Sequence, residues 1–312
     1  MIGGKRSGSA HAGGTYSIVA RDARTGELGV AVQSHWFGVG RLVCWVEAGV
    51  GVVASQAMVE VSYGPKGLAR MSAGVEARRA LAELLAVDAE RDLRQVAMVD
   101  ASGRVAVHTG ARCIALAGHE VGEGFACQAN MMSSGAVWPA MARAFREATG
   151  DLAERMLASL EAAEAAGGDL RGAQSAAMRI ARAQSTGSVW DDVLLDLRVE
   201  DHGEPNRELR RLVNLNRAYR HMNQGDALLG QNDVPGALAE YRQAAEIAPQ
   251  IAELPFWQAV TLADLGHLEQ ATALFRTVFQ RDPRLRVLLE RLPAAGLWHG
   301  DIDTLRHILS GE

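Results

Sequence analysis

Lysine is nearly missing from the chain of 312 residues: Lys5 and Lys66 stand against 30 arginines. Cysteine is also scarce, and Cys44, Cys113 and Cys127 have neither CxxC spacing nor neighbouring histidine pairs. This pattern excludes a disulfide framework and a structural zinc site. No apolar run approaches the roughly 18 residues that would cross a bilayer. With only two lysines in the sequence, few positions could place a lysine beside a nucleophile to lower its pKa.

The common cofactor motifs are missing as well. The chain contains no GxxxxGK[ST], no GxGxxG between a strand and a helix, no HExxH and no GxSxG, and its nine histidines form no i, i+4 pair. We therefore expect neither a bound cofactor nor a metal centre. The net charge of −5 and the pI near 6.0, without a basic segment, argue against nucleic acid as a partner. Without the apolar stretch of a secretory signal at its start, the chain is expected in the cytoplasm, and no membrane partner is expected.

The chain divides into a short leader and two larger parts. Residues 1–14 (MIGGKRSGSAHAGG) offer little to bury and predict a flexible leader or propeptide. From Thr15 onwards, β-rich runs separated by turn residues predict antiparallel hairpins. The predicted strands are 15–21 paired with 28–33, 42–48 paired with 49–56, 94–100 paired with 103–110, and 124–132, 175–182 and 192–200.

Helical patterns interrupt these strands in two places. The first predicted helix begins with Pro65 at its first position and continues through 67–74. The other predicted helices are 75–88, 137–150 and 151–168. The predicted order along the chain is strands, a helix pair, more strands and a second helix pair. In this order the helices would cover both faces of the sheet structure. Helix pairs packed in layers on antiparallel sheets are typical of the α+β class, which is therefore predicted for residues 15–205.

Residues 206–312 lack strand signals and show a repeat of 34 residues. Residues separated by that interval have matching character: Gly225 and Ala259, Ala237 and Ala271, Tyr241 and Phe275, and Pro249 and Pro283. The pattern resembles the tetratricopeptide repeat, in which small residues allow paired helices to touch. Two units are predicted, 218–251 and 252–285, followed by a helical cap that includes Trp298. A generic pair of helical hairpins is the alternative.

The junction before the first strand carries the main chemical hypothesis. Gly13-Gly14 leads directly into Thr15, so removal of the leader would place a hydroxyl beside a free α-amine. A threonine activated by its own terminal amine is a known nucleophile arrangement. The simpler interpretation is that Thr15 is a β-branched residue beginning a strand.

A family resemblance supports the first interpretation. The segments TYSIVARD, TGELGVAVQS, AGVGVVASQA, SYGPKGL, RQVAMVD, AGHEVGEGFACQANMM, GGDLRGAQSAAM and DLRVEDH occur in order across residues 15 to about 212. They resemble DUF1028, a family of domains of unknown function. That family is grouped with the N-terminal-nucleophile (Ntn) hydrolases, so the resemblance implies a four-layer αββα sandwich and hydrolysis of an amide bond by Thr15.

The resemblance also suggests which residues surround Thr15. Ser17 shares its strand face, and Ser34 ends the second strand where proteasome-type enzymes carry an acidic residue. With no lysine on the third strand, Glu47 is predicted as the nearest ionisable group. The amides of Gln128 and Asn130 are candidates to stabilise an oxyanion, and a hydrogen-bonded sheet end is the alternative. Gln56 is a weaker candidate, and Arg171 is interpreted as structural.

Two functions remain open at this point. The first is a threonine-nucleophile amidohydrolase that acts on a small amide or peptide-like substrate after residues 1–14 are lost. The second is a non-catalytic αββα domain that serves as a scaffold or ligand-binding module. In both, the repeat region is expected to bind a protein or peptide partner. Analogy with related folds also suggests a homo-oligomer.

Overall fold

A computed structural model describes residues 14–310 of the chain, and the rest of the predicted leader, residues 1–13, lies outside the described residues. The β-strands are β1 Thr15–Arg21, β2 Leu28–Ser34, β3 Cys44–Glu47, β4 Gly51–Ala57, β5 Arg94–Asp100, β6 Val105–Thr109, β7 Gly118–Gly122, β8 Phe125–Asn130, β9 Ser175–Ala181 and β10 Val193–Val199. The helices up to residue 230 are α1 Gly40–Val43, α2 Tyr63–Ser72, α3 Ala77–Val87, α4 Val137–Glu147, α5 Leu152–Ala165, α6 Val189–Asp192 and α7 Pro205–Gly230. The helices that follow are α8 Val234–Ile247, α9 Glu253–Asp264, α10 Leu268–Arg281, α11 Arg284–Arg291 and α12 Ile302–Ser310.

The strands form two antiparallel sheets, which confirms the predicted α+β class. One sheet has six strands in the order β10-β9-β2-β1-β8-β7, and the other has four in the order β3-β4-β5-β6. Helices α4 and α5 pack on the six-stranded sheet, while α2 and α3 pack on the four-stranded sheet. Each sheet has a second face that does not carry these helices, and these two faces pack against each other, with β1 against β4 and β2 against β3.

Alternation along β1 fixes what each of its side chains meets. Val19 points into the apolar cluster between the sheets, together with Val32 and Val52. Residues two apart on a strand share a face, so Thr15 and Ser17 point in the same direction as Val19. Tyr16 occupies the other face, and its hydroxyl accepts a hydrogen bond of 2.8 Å from Asn206 Nδ2 at the start of α7. Thr15 therefore faces the space between the sheets.

The structure corrects three details of the predicted elements. The run 42–48 begins with the short helix α1 and becomes strand only at Cys44, and β7 was not predicted at all. Helix α2 begins at Tyr63, so Pro65 is its third residue rather than its first. Because the first four N–H groups of a helix have no partner within it, proline is tolerated at the third position as well.

The chain separates into two compact units between Arg211 and Leu212, inside α7, rather than at the predicted 205/206 boundary. The first turns of α7 belong to the first unit because their side chains bind α5. The Arg210 guanidinium lies 2.5 Å from Glu161 Oε1 and 2.8 Å from Glu154 Oε1. The hydrogen bonds to Glu161 and Glu154 raise the pKa of Arg210.

The second unit, from Leu212 onwards, is helical. Its most buried side chains include Ala237 and Tyr241 on α8. Ala271 and Phe275 on α10, which lie 34 residues after Ala237 and Tyr241, are also among the most buried. Gly225 lies against Tyr241: a Cβ at that position would come within 2.6 Å of the tyrosine ring. A small residue is therefore required at Gly225.

Substitution of Gly225 by alanine tests this close approach. Alanine normally favours a helix over glycine by about 1 kcal/mol, but here we expect the clash to lower the free energy of unfolding by about 2 kcal/mol. Gly230→Ala is the matched control, since nothing lies within 4 Å of a Cβ there and the change should be neutral or stabilising. Urea unfolding followed by circular dichroism measures both variants, and equal stability of the two would contradict the packing.

Candidate functional site

The ends of several strands meet at one edge of the stacked sheets. Thr15 opens β1, and the antiparallel register pairs it with Ser34 at the end of β2 and with Asn130 at the end of β8. In the facing sheet, Gln56 near the end of β4 pairs with Gln95 near the start of β5. All five residues are buried. The fold thus collects polar side chains from both sheets around Thr15.

A chain of hydroxyl groups connects Thr15 to the peptide bond that precedes it. Ser34 Oγ donates a hydrogen bond of 2.5 Å to the Gly14 carbonyl oxygen, and Thr15 Oγ1 lies 3.0 Å from the same Ser34 Oγ. A hydroxyl has one hydrogen to donate, so the proton between the two side chains comes from Thr15. The order of donation is therefore Thr15 to Ser34 to the Gly14 carbonyl.

A guanidinium provides the second donor to that carbonyl. Arg171 Nη2 lies 3.0 Å from the Gly14 oxygen. Asp169 fixes the guanidinium, since its Oδ2 accepts from Arg171 Nη2 at 2.8 Å and its Oδ1 from Arg171 Nε at 3.1 Å. The Asp169 side chain has no exposed surface, and it also accepts the backbone N–H of His35. Two donors, one cationic, thus converge on the carbonyl oxygen before Thr15.

This Asp169–Arg171 pair differs from the sequence-based interpretation. Arg171 was predicted to be structural, and Asp169 was not singled out. Both residues lie in the glycine-rich loop GGDLRG between α5 and β9. The signal in the sequence was an acidic and a basic residue within a segment that is otherwise turn-forming, followed at once by a buried strand.

The predicted oxyanion donors Gln128 and Asn130 are occupied elsewhere. Asn130 Nδ2 donates to the carbonyl of Thr15 at 3.4 Å and to Gln95 Oε1 at 3.1 Å. Gln128 Nε2 donates to Ser17 Oγ at 3.3 Å and to the Ala54 carbonyl at 3.2 Å. Their strand face points between the sheets, where these acceptors lie. The sheet-end alternative therefore describes them better, and the donors at the Gly14 carbonyl are Ser34 and Arg171.

Ser17 and Gln56 belong to the same buried layer. Ser17 Oγ donates to Gln56 Oε1 at 2.6 Å, and Gln56 Nε2 donates to the Thr15 carbonyl at 3.1 Å and to Gln95 Oε1 at 2.8 Å. Buried hydrogen bonds between side chains of this kind hold their members in one arrangement. Ser17 thus acts on Thr15 through the backbone, and the Thr15 main chain is held from the facing sheet.

Glu47 lies away from this site, so its prediction as the nearest ionisable group is wrong. It ends β3 and pairs with Gly51, the first residue of β4, whereas the contact to Thr15 comes from Gln56 near the last residue of β4. Glu47 is also exposed. Asp169 and Arg171 are ionisable groups that lie beside the Gly14–Thr15 peptide bond.

A cavity of about 150 Å³ adjoins Asn130, the register partner of Thr15. Its walls are Ala57, Met58, Leu93, Arg112, Cys113, Ile114 and Asn130. Burial raises the pKa of the Cys113 thiol, which stays protonated and poorly nucleophilic near neutral pH. The cavity thus offers mostly apolar space, with a guanidinium on its wall, on the β8 side of Thr15.

Within residues 14–310, no three His, Cys, Asp or Glu side chains are grouped so that they could hold a metal ion. Over the same residues, none of the helices combines the length and hydropathy needed to span a bilayer.

Comparison with known proteins identifies a family and a similar solved structure. A family model described as a family of unknown function, DUF1028, matches residues 15–209. A crystal structure of protein SPO2555 from Silicibacter pomeroyi, assigned to the same family model, is similar with a TM-score of 0.59 and 29% sequence identity, covering 64% of this chain and 84% of that one. No curated protein matches the chain.

Proposed function

This chain belongs to DUF1028, a family of unknown function, and we propose that it is an N-terminal-threonine amidohydrolase that matures by cleavage of the Gly14–Thr15 bond. Its substrate would be a small amide or peptide-like compound. The observation that carries the proposal is the pair of donors, Ser34 Oγ and Arg171 Nη2, on the oxygen of the carbonyl group whose carbon Thr15 would attack. Such donors stabilise the negative charge that develops on that oxygen.

The architecture of the first unit supports the same proposal. Two antiparallel sheets stack face to face, and each carries a helix pair on its outer side. This arrangement resembles the αββα sandwich of Ntn hydrolases. Thr15 is the first residue of an interior strand and faces the space between the sheets. A nucleophile at that position would become the terminal residue without any change in the sheets.

Self-cleavage would use the hydroxyl chain described above. Thr15 Oγ1 attacks the Gly14 carbonyl carbon and passes its proton to Ser34, whose own proton moves to the Gly14 oxygen. That proton returns as the C–N bond breaks, and the Thr15 nitrogen takes it up. The product is an ester between Gly14 and Thr15 Oγ1, which water hydrolyses to a Gly14 carboxylate and a free Thr15 amine.

The mature site would repeat these steps on a substrate amide. The Thr15 amine accepts the proton of Oγ1, and the amine released from the substrate takes it up as its C–N bond breaks. Water then hydrolyses the ester and regenerates Thr15. Arg171, paired with the Asp169 carboxylate, lies beside the carbonyl group that precedes this amine.

Covalent labelling tests this function. An α′,β′-epoxyketone needs both the hydroxyl and the free α-amine of a terminal threonine, so we expect one adduct, at Thr15, in a digest of the purified protein. Internal threonines such as Thr109 are the built-in control, since they lack a free amine. Mass spectrometry that finds no adduct on Thr15 would contradict the catalytic function.

A second candidate, a non-catalytic ligand-binding or scaffold domain, is favoured by a different observation. Thr15 is only 4% exposed while Gly14 remains attached. A chain that keeps this peptide bond would keep Thr15 and Ser34 buried and out of reach of a substrate. Absence of the adduct, with the mass of the full chain retained, would favour this alternative.

The second unit supports a related proposal, a tetratricopeptide-like module that binds a peptide or protein. The small residues Ala237 and Ala271 are both fully buried, and so are the aromatic residues Tyr241 and Phe275 at the equivalent later position. Helix pairs that repeat in this manner stack into arrays with a concave face suited to an extended or helical peptide.

A further inference from the structure

Strand β10 forms one edge of the six-stranded sheet. Within residues 14–310, it pairs with β9 alone. An edge strand has a row of backbone N–H and C=O groups that point away from its neighbour, and a further strand can pair with them. The register with β9 shifts only between Val193 and Leu195, so the five residues Leu195–Val199 present a regular edge.

The sequence of this regular stretch, Leu-Asp-Leu-Arg-Val, is complementary to itself in the antiparallel direction. When two copies pair about a two-fold axis at Leu197, each Asp196 lies opposite the partner's Arg198. The same register places Leu195 opposite the partner's Val199 and the two Leu197 side chains opposite each other. Oppositely charged pairs and apolar pairs directly across two strands stabilise a sheet. The two-fold axis repeats the charged pair and the Leu–Val pair.

The charged side chains of β10 are accessible to such a partner. The side chains of Asp196 and Arg198 are 32% and 36% exposed, and Arg198 Nε lies 3.1 Å from Asp196 Oδ1 in the same chain. In the paired copies, the two carboxylates and two guanidinium groups would alternate, with opposite charges facing each other across the strands. Leu197 is half-buried, and a second copy would cover it further.

The other edge of the same sheet lacks this pattern. Strand β7 has Glu120 at its centre and glycine at both ends. Two copies of β7 paired about their centres would place Glu120 opposite the partner's Glu120, and like charges directly opposite each other destabilise a strand pair. Glycine also weakens a strand because it has no side chain to pack. Of the two edges, β10 is the one suited to pairing with itself.

We propose that the chain forms a homodimer in which β10 pairs with β10 of a second copy, antiparallel and centred on Leu197, so that the two six-stranded sheets become continuous. Main-chain hydrogen bonds give strand addition its affinity, and the side-chain pairs fix its register. Helix α6, which leads directly into β10, adds Val189 and Trp190, 77% and 81% exposed, as apolar surface near this edge. The assembly requires neither cleavage before Thr15 nor any activity there.

The mass of the full chain in solution tests the dimer. Size-exclusion chromatography with light scattering should give twice the mass of one chain. Leu197→Lys places two ammonium groups opposite each other, and Arg198→Asp places carboxylates opposite carboxylates. We expect each to raise the Kd of the dimer at least about 100-fold, because like charges facing each other across an interface are strongly unfavourable. Val121→Lys is the matched control: Val121 is an exposed apolar residue on β7, and its variant should stay dimeric.

A complementary pair of variants separates lost pairing from lost folding. Asp196→Arg carries arginine at both charged positions and Arg198→Asp carries aspartate at both, so each should be monomeric alone. Mixed in equal amounts, they should form a heterodimer, because every arginine then faces an aspartate. Asp196→Arg also removes the ion pair with Arg179, so circular dichroism checks its fold. If it does not fold, Leu197→Lys and Arg198→Asp decide the matter.

Cysteine cross-linking tests the register. The α-carbons of directly opposite residues lie about 4.5–5.5 Å apart, within the range that a disulfide spans. Leu197→Cys should therefore cross-link two chains at position 197 on mild oxidation. Arg198→Cys should not, because the two copies of position 198 are displaced along the strands.

Two results would overturn the proposal. One is a wild-type chain that remains monomeric at about 100 μM, a concentration at which a dimer with a micromolar Kd would form. The other is a dimer whose mass is unchanged by both Leu197→Lys and Arg198→Asp, which would place the interface elsewhere. Neither result bears on the nucleophile, which the epoxyketone adduct at Thr15 tests separately.

Discussion

We expect the Thr15→Ala variant to keep the residues before position 15 and the wild-type protein to lose them. The Thr15 hydroxyl donates to Ser34 Oγ, and Ser34 Oγ donates to the Gly14 carbonyl oxygen. Without that oxygen, the amide has no internal nucleophile to form the ester, so we expect self-cleavage to disappear completely. Intact-mass spectrometry of both purified proteins gives the result directly.

Two control variants make this result specific. Thr15→Ser keeps the hydroxyl and should still cleave. Ser17→Ala removes a hydroxyl on the same strand face, but that hydroxyl binds Gln56 rather than Gly14, so cleavage should persist. Loss of the leader in Thr15→Ala would mean that another protease makes the cut, which would contradict self-cleavage.

Substitution of Ser34 by alanine should slow self-cleavage by a factor of roughly 10²–10³, the usual cost of removing one oxyanion donor. Ser34 is expected to contribute twice, because it donates to the Gly14 oxygen and receives the proton of Thr15. A time course of precursor and product after cell-free synthesis measures the rate. Arg171→Met, which removes the second donor, should show a loss of similar size.

Ser55→Ala is the matched control for Ser34→Ala. Ser55 is an equally buried serine on β4, but its hydroxyl donates to the Glu60 carbonyl at 3.1 Å and has no part in the chain at Gly14. Its variant should cleave at the wild-type rate. Wild-type cleavage by Ser34→Ala would show that the proton does not pass through this side chain.

Much of the fold of the first unit follows from local sequence signals. The strand pairs β1 and β2, β3 and β4, and β5 and β6 were predicted because each consists of two apolar runs joined by turn residues. Strand β7 was missed for the opposite reason. It is a half-exposed edge strand with glycine at both ends, Gly118 and Gly122, so it carries neither a buried apolar run nor a clear alternation.

The site was only partly predictable. Strand order along the chain places Thr15 and Ser34 near each other, because the β1–β2 hairpin pairs the start of one strand with the end of the next. Strand order does not reveal which edge of the facing sheet lies near Thr15. Glu47 was therefore predicted to lie close to Thr15, although it is at the other edge of that sheet. Asp169 and Arg171 come from a loop more than a hundred residues away, and only tertiary structure brings them to Gly14.

The most direct test is the N-terminal sequence of the protein purified from its native host. The proposed function predicts that the sequence begins with Thr15-Tyr16-Ser17 and that the Thr15 nitrogen reacts as a primary amine. A mature protein in which Gly14 is still joined to that nitrogen would contradict the catalytic account and leave a binding domain in its place.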